Sequence, residues 1–315
     1  MGRVAFGEGS DNMNEPLSGR KEPVLKDRRI GETSTSAIGL GAMHFSFADP
    51  VDDTHSISTI HAALDAGITL IDTALAYTTV DHVSHNEALI ADALRKHPDG
   101  DSVFIATKGG HYRSGTTFPK DARPEALRAD CEQSLRMLGR DTIDLYQLHW
   151  PDPNVPISDS VGALAELRSE GKIQHIGMCN VSIDELTTAR SITTIAAVQN
   201  SFSVFNRNDQ EMLDTCQRDD IAYLCYSPLG GKQQATQIGR RLPAFAEMAR
   251  DLDISTQRLA LAWLLAQSTT VIPIPGTRRA VAIVDSARAA DVELQADQLD
   301  LLTNSLTDRD TEQQS

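Results

Sequence analysis

Positive charge is scarce in this 315-residue chain: 29 lysines and arginines stand against 44 aspartates and glutamates, a formal net charge of −15. A nucleic acid or an anionic membrane surface would repel such a chain, so neither is expected as a partner. Cysteine is scarce too. Cys131, Cys179, Cys216 and Cys225 are scattered, with no CxxC or Cys/His spacing, which argues against a zinc site and for a reduced, cytoplasmic setting. No metal is expected. No apolar run approaches the ~20 residues that cross a bilayer. The opening stretch, MGRVAFGEGSDNMNEPLSGRKEP, lacks the apolar centre of a secretory leader. Residues 1–22, with their Gly, Ser and Asn, read as a disordered extension. Also missing is a GxGxxG after the first strand, the glycine pattern of a doubly wound dinucleotide-binding sheet.

What is present is one unit repeated. Ile57, Ile60 and Leu64 mark a helix that stops at Gly67 before the apolar run Ile68–Asp72. Leu127, Cys131, Leu135 and Leu138 mark another, stopped at Gly139 before Ile143–Leu148. Val161, Leu164 and Leu167 mark a third, stopped at Gly171 before Ile173–Met178. Three- and four-residue spacing defines one helical face, and glycine after the last turn takes the left-handed cap. The short runs are apolar on both faces, as parallel strands covered by helices are. Ala37–Met43, Val103–Thr107, Ile195–Gln199, Ile221–Tyr226 and Thr270–Ile274 bring the strands to eight. Eight strands alternating with helices predict a (β/α)8 TIM barrel, a single domain over residues 23–306, with a doubly wound sheet as the alternative. Short polar strands between Val24 and Ile38 read as an N-terminal β-hairpin joined at Arg29–Gly31. Leu294–Leu302 reads as an extra C-terminal helix, and residues 307–315 as a polar tail.

In such a barrel the C-terminal strand ends share one mouth, where active sites sit. Asp72 ends strand two with Tyr77 just beyond, strand three runs into Lys108, and strand four ends at His149. Singly, each has a duller explanation: a helix cap, a rim tyrosine, a loop lysine, a satisfied core histidine. Together at successive strand ends they form a set. A phenol titrates near pH ~10 unaided, and a nearby ammonium lowers that value. A carboxylate keeps the lysine charged and fixed, and a histidine can hydrogen-bond the reacting oxygen. Such a set donates a proton to a carbonyl oxygen as a hydride reaches its carbon.

GLGAMHF, IDTALAY, ATKGG, DLYQLHWPDP, GKIQHIGMCN, VQNSFSVFNR, YSPLGG and VIPIPGTRR occur in an order and spacing that resemble the aldo-keto reductase superfamily, over Val24 to Leu302. The resemblance extends to its pyridoxal and aryl-alcohol dehydrogenase-like members. It implies a barrel closed at its bottom by the hairpin, and NADPH-linked carbonyl reduction or the reverse alcohol dehydrogenation, with NADH as a possible substitute. It casts Tyr77 as general acid, Asp72 and Lys108 as the pair that tunes it, and His149 as the residue orienting the carbonyl. It places Asn180 and Gln199 on the nicotinamide carboxamide and Tyr226 on its ring. Ser227, Pro228, Leu229 and Gly230 would line the pyrophosphate, with Gly41, Ala42, Met43, Cys179 and Ile274 also beside the cofactor. In PGTRR, Gly276 lets backbone approach an anion and Thr277 offers a hydroxyl at a nearby helix start. Arg278 and Arg279 suit a 2′-phosphate.

Three departures from the family pattern involve five positions: Cys179 where serine is usual, Thr78 where many members have glycine, and Ala282, Asp285 and Ser286 in the adenine segment. Asp285 and Ser286 are the adenine-side candidates. His44, Phe45, Tyr112 and Trp150, with Phe47 and Phe205 nearby, are expected to line a pocket for a flat or apolar carbonyl. The segment GGHYRSGTTFPKDARP is long for a strand-to-helix loop and is expected to fold over the site. The expected partner is a small carbonyl or alcohol, pyridoxal included by resemblance, and the chain is compatible with a monomer or a homo-oligomer. Two other readings stand beside this one: a low-turnover NADPH-binding regulatory subunit of the same fold, and an aldolase-like barrel with Lys108 as a Schiff-base nucleophile.

Overall fold

The computed structural model describes residues 27–47, 50–79 and 84–313. Two antiparallel strands come first, β1 (Asp27–Ile30) and β2 (Thr33–Ser36). Their turn falls at Gly31 and Glu32, slightly later than expected, with Gly31 left-handed at φ +57°. Residues 1–26, including the expected extension, lie outside the described residues.

Eight parallel strands follow: β3 (Leu40–Gly41), β4 (Leu70–Asp72), β5 (Phe104–Gly109), β6 (Ile143–Leu148), β7 (Ile173–Cys179), β8 (Ala197–Ser201), β9 (Ala222–Tyr226) and β10 (Val271–Pro273). Each pairs with the next in chain order. The ring shuts between its ends, where Gly39 N–H donates to Pro273 O and Gly41 N–H to Pro275 O, both at 3.0 Å. This is the expected (β/α)8 barrel. Helices α1 (Asp53–Asp65), α2 (His85–Arg95), α3 (Pro124–Leu138), α4 (Ile157–Ser169), α5 (Ile183–Arg190) and α6 (Gln210–Arg218) alternate with the strands. Between β9 and β10 lie α7 (Gly231–Ala235), α8 (Ile238–Arg241), α9 (Pro243–Asp251) and α10 (Thr256–Gln267), and α11 (Ala280–Ala287) follows β10. The closing helix α12 (Ala296–Gln313) continues well past Leu302, where it was expected to end, and runs through the expected polar tail as far as Gln313.

Local chemistry sets these boundaries. The Asp52 side chain accepts from His55 N–H and starts α1. Ser182 and Glu185 form a reciprocal capping box at α5. Pro124 opens α3, and Gly139 closes it in the left-handed region at φ +64°. The strands alternate two apolar layers. Leu70, Phe104, Ala106, Leu145, Ala197, Ala222, Leu224 and Ile272 fill the interior. Ile30, fully buried among them, shows that the hairpin plugs the N-terminal end. The outer layer packs strands against the helical faces seen in the sequence, such as Leu127, Cys131, Leu135 and Leu138 of α3.

One buried acid sits in that outer layer. Glu87 of α2 has no solvent exposure and accepts from Thr107 Oγ1 at 2.7 Å. Burial pushes its carboxyl up to about 7 from 4.5, against the pull of the Thr107 hydrogen bond. The folded state therefore holds the proton more tightly than the unfolded chain. Stability from this group is intact below the unfolded value and is lost as pH rises from there to about 7, by roughly 3 kcal/mol. Glu87→Gln keeps an acceptor for Thr107 and removes the titration. Urea unfolding at about pH 5 and about pH 8 should show the variant gaining on the parent at the higher pH. A constant difference between the two would show that Glu87 does not titrate in this way.

Candidate active site

Parity along the strands builds the site. In β4, β5, β6 and β8 the interior residues Leu70, Ala106, Leu145 and Ala197 are each followed two positions later by a polar one: Asp72, Lys108, Gln147 and Gln199. Side chains two apart on a strand share a face. A polar layer therefore caps the apolar filling at the C-terminal mouth. The third barrel strand runs on through Lys108 to Gly109, beyond the expected Thr107. Lys108 is thus held in the ladder, in register with Gln147.

The layer is closely bonded. Lys108 Nζ donates to Asp72 Oδ1 at 2.6 Å and to Thr73 O at 2.7 Å. Gln199 Nε2 donates to Asp72 Oδ2 at 2.7 Å, and Gln147 Nε2 to the same oxygen at 3.4 Å. Cys179 Sγ lies 3.5 Å from Gln147 Oε1. Burial by itself would lower the Lys108 ammonium, but the Asp72 carboxylate overrides it and the pKa moves up. Lys108 is fully buried and charged. A Schiff-base nucleophile must be neutral, so this pairing opposes the aldolase-like reading.

Tyr77 and His149 close over the pair. Lys108 Nζ stands 5.1 Å from the Tyr77 ring centre, and the Tyr77 and His149 rings meet edge to face at 5.7 Å. Burial drives His149 well below the usual imidazole range, aided by the Lys108 charge and His111, so the ring is neutral. For Tyr77 the balance differs from the expectation. Burial pushes the phenol up to about 12, and Lys108 only partly offsets it. The hydroxyl stays protonated. Asn86, buried at the start of α2, holds the surrounding loops: its amide donates to Ala42 O and Ser46 Oγ and accepts from Thr73 Oγ1.

The long segment after β5 folds into a small hairpin, with antiparallel bridges His111–Lys120 and Ser114–Thr117. Arg113 donates to Thr78 O at 2.6 Å and lies over the Phe47 and Phe118 rings, tying the hairpin to the Tyr77 loop. Phe47, Tyr77, His149, His111 and Phe118 form a closed circuit of ring contacts, with centres 4.8 to 6.0 Å apart. Two expected wall residues are elsewhere. Phe45 is 1% exposed and belongs to the core, because the short turn at residues 43–45 points it inward. His44 lies beside Gly276, next to the residues expected to hold the cofactor. Trp150 is half-buried under the Lys120 ammonium at 4.6 Å, and Tyr112 stands exposed at 44%. Phe205 packs against Gly230 and under Arg241.

On the side where the cofactor is expected, β3 and the chain after β10 approach closely. A Cβ on Gly276 would come within 2.9 Å of both Gly41 O and His44 Cδ2. That proximity, more than room for an anion, requires the glycine. Burial, then Lys232 and Arg278, lower the His44 imidazole, which places two cations beside it. Among the described residues no carboxylate pairs with Lys232, Arg278 or Arg279. An unneutralised basic cluster in so acidic a chain suits phosphate. Thr277 Oγ1 accepts from Arg279 N–H at 3.1 Å, and Ile274 is buried at the seam. Asn180 and Ser227 adopt left-handed backbone at φ +57° and +49°. Asn180 is fixed by donation to His149 O and acceptance from the Tyr226 hydroxyl at 2.9 Å. Gly230 N–H donates to Ser227 O, shaping the Ser227–Pro228–Leu229–Gly230 turn. The adenine-side candidates are committed to the protein. Asp285 pairs with Arg258 and accepts from Ser255 Oγ, and Ser286 Oγ donates to Ala282 O within α11.

Over residues 37–306 the chain matches the model of the aldo/keto reductase family. It belongs to that family. An uncharacterized oxidoreductase of Schizosaccharomyces pombe is 33% identical over 274 residues, covering 85% of this chain and 86% of its own. The glycerol dehydrogenase of Gluconobacter oxydans superposes with a TM-score of 0.78 at 27% identity, covering 89% of this chain and 94% of the other. An aldo/keto reductase from Klebsiella pneumoniae, solved with NADP and acetate, superposes at 0.76 with 26% identity, covering 89% and 95%.

Gln147, Thr73, His111, Arg113 and Lys232 escaped sequence reasoning. Gln147 was marked by strand parity, two residues beyond interior Leu145. Lys232 was marked by its place directly after YSPLGG. Nothing in the sequence marked Arg113, whose partners come from three separate loops.

Proposed function

We propose that this family member reduces an aldehyde or ketone to the alcohol with NADPH, Tyr77 giving the proton to the carbonyl oxygen. The observation that carries the reading is the buried Lys108–Asp72 pair, with Tyr77 and His149 packed directly above it. Tyr77 offers a protonated hydroxyl, and neutral His149 can hold the carbonyl oxygen without a competing charge. When Tyr77 has given up its proton, the Lys108 ammonium stands beside the resulting phenolate and Asp72 holds that ammonium in place. NADPH, when bound, supplies the hydride.

The cofactor side fits that group. His44, Lys232, Arg278 and Arg279 would hold its phosphates. Tyr226, bonded to Asn180, and Asn180, bonded in turn to His149 O, would hold its nicotinamide end, with Gln199 beneath. Ion pairing with a 2′-phosphate is expected to make NADPH bind about tenfold or more tightly than NADH. Fluorescence titration of both nucleotides checks this, followed by NADPH oxidation against aldehydes, ketones, sugars and pyridoxal. If neither nucleotide binds, or if bound NADPH is oxidised by none of them, the proposal fails.

A further inference from the structure

The backbone around Tyr77 is held from two directions. Its N–H donates to Ala74 O at 3.0 Å, and its carbonyl accepts from Asn86 N–H at 3.1 Å. The next carbonyl, Thr78 O, accepts at 2.6 Å from Arg113 Nη1, 35 residues further along the chain. A guanidinium is a planar fork with several N–H groups, and Arg113 uses both its edge and its face. Its Nε donates to Gly115 O at 3.0 Å within the hairpin. Its central carbon lies 5.2 and 5.9 Å from the ring centres of Phe47 and Phe118, where a cation is attracted to the aromatic face. Those rings stand 5.6 Å apart, and Phe47 meets the Tyr77 ring edge to face at 6.0 Å. One side chain thus reaches Tyr77 twice, through the peptide that follows it and through the ring beside it. The arms of the hairpin bond mainly to each other: Tyr112 N–H donates to Pro119 O, and Ser114 and Thr117 exchange backbone bonds. Those bonds shape the hairpin but do not join it to the Tyr77 loop. Arg113 does.

We propose that Arg113 is a positioning residue for the proton donor: bonded to Thr78 O and stacked on Phe47, it seats the hairpin against Tyr77 and fixes the phenol over Lys108. The role rests on the carbonyl-reductase reading, in which Tyr77 gives the proton. Enclosure keeps that hydroxyl protonated, pushing it up to about 12. From the strands it is faced by the charged pair Lys108 and Asp72, the Cys179 thiol and the neutral His149 ring, and from the hairpin side by Arg113. Two opposite shifts separate positioning from charge. If Arg113 seats the hairpin, its loss admits water, and the phenol moves down toward its ordinary value near ~10. If its positive charge alone matters, its loss moves the phenol further up.

Arg113→Met keeps an apolar stem against the rings and loses the fork. Arg113→Lys keeps the charge and a donor but has no plane to lie against two rings. Phenolate absorbance, taken as the difference between each protein and its Tyr77→Phe counterpart, follows Tyr77 alone and needs no substrate. In Arg113→Met the phenolate is expected to appear about one pH unit or more below the parent. With saturating NADPH and the fastest carbonyl of the panel above, its single-turnover reduction should slow by about 10- to 10²-fold, the cost of a misplacement near ~1 Å. NADPH affinity, read by fluorescence titration, should stay at the parent value. Arg113→Lys should fall between the two proteins in both measurements. Rates counted per NADPH-binding molecule are unaffected by any loss of folded protein. Parent-like titration and rate in Arg113→Met overturn the role. A slower rate with the phenol unmoved or raised also overturns it, assigning Arg113 to the substrate or to its charge alone. So does a lowered phenol at the parent rate, which leaves proton transfer indifferent to Arg113. If Tyr77→Phe turns over like the parent, the reading of Tyr77 as proton donor fails and this role with it. Loss of turnover in Tyr77→Phe beside a parent-like Arg113→Met removes this role alone.

Discussion

Tyr77→Phe is expected to bind NADPH as the parent does and to lose turnover by about 10²–10⁴-fold, the range that a positioned proton donor supplies. The ring remains, so packing against Phe47 and His149 is kept and only the hydroxyl is lost. The titration of that hydroxyl gives a second, independent signature. Burial pushes it up to about 12, with Lys108 pulling the other way. Carbonyl reduction uses the protonated form, which persists at neutral and mildly alkaline pH, so its rate should stay level there. Alcohol oxidation uses the deprotonated form, and its rate should climb as pH rises toward about 12. Single-turnover rates in both directions across pH check both signs. Parent-like turnover in the phenylalanine variant, or an oxidation rate indifferent to pH, would remove Tyr77 from the chemistry.

Lys108→Met carries the largest expected loss of stability. Its ammonium is fully buried and bonded to Asp72 Oδ1 and Thr73 O. Removing it leaves the Asp72 carboxylate enclosed, facing the amides of Gln199 and Gln147 alone. Breaking such a pair from one side costs about 3–5 kcal/mol. Asp72→Asn should cost a similar amount by stranding the cation. The double variant Asp72→Asn/Lys108→Met should lose less than the sum, because neither charge is then left without the other. Chemical denaturation of the four proteins gives all the required values. Additive losses, or a change below about 1 kcal/mol in the single variants, would mean that the two groups are not joined as a buried ion pair.

Much of this was legible in the amino-acid order because the signals were local. Gly67, Gly139 and Gly171 stop helices through their own backbone freedom, and all three take positive φ. Asp72, Lys108 and His149 close apolar runs, so their place at the mouth follows from the strand ends. Depth was the part out of reach. From sequence, Lys108 beside Tyr77 implies a more acidic phenol. In the fold the enclosure of that phenol outweighs the nearby charge, and enclosure depends on Phe47 and on a hairpin between β5 and α3. The adenine-side candidates went the same way. Asp285 matched a position in a segment, but Arg258 and Ser255, some thirty residues earlier, already engage it. Phe45 and Phe47 are two residues apart, yet one faces the core and the other Tyr77.

The seam between β3 and the chain after β10 has a consequence for how the molecule comes together. Its two hydrogen bonds link the first barrel strand to the last, so the ring stays open until nearly the whole polypeptide is available. Gly41 and His44 stand on one lip of that joint, Gly276 and Arg278 on the other. A nucleotide gripped by both lips would act as a clasp. Its binding energy would oppose the opening of the cylinder along the line where the chain's beginning and end meet.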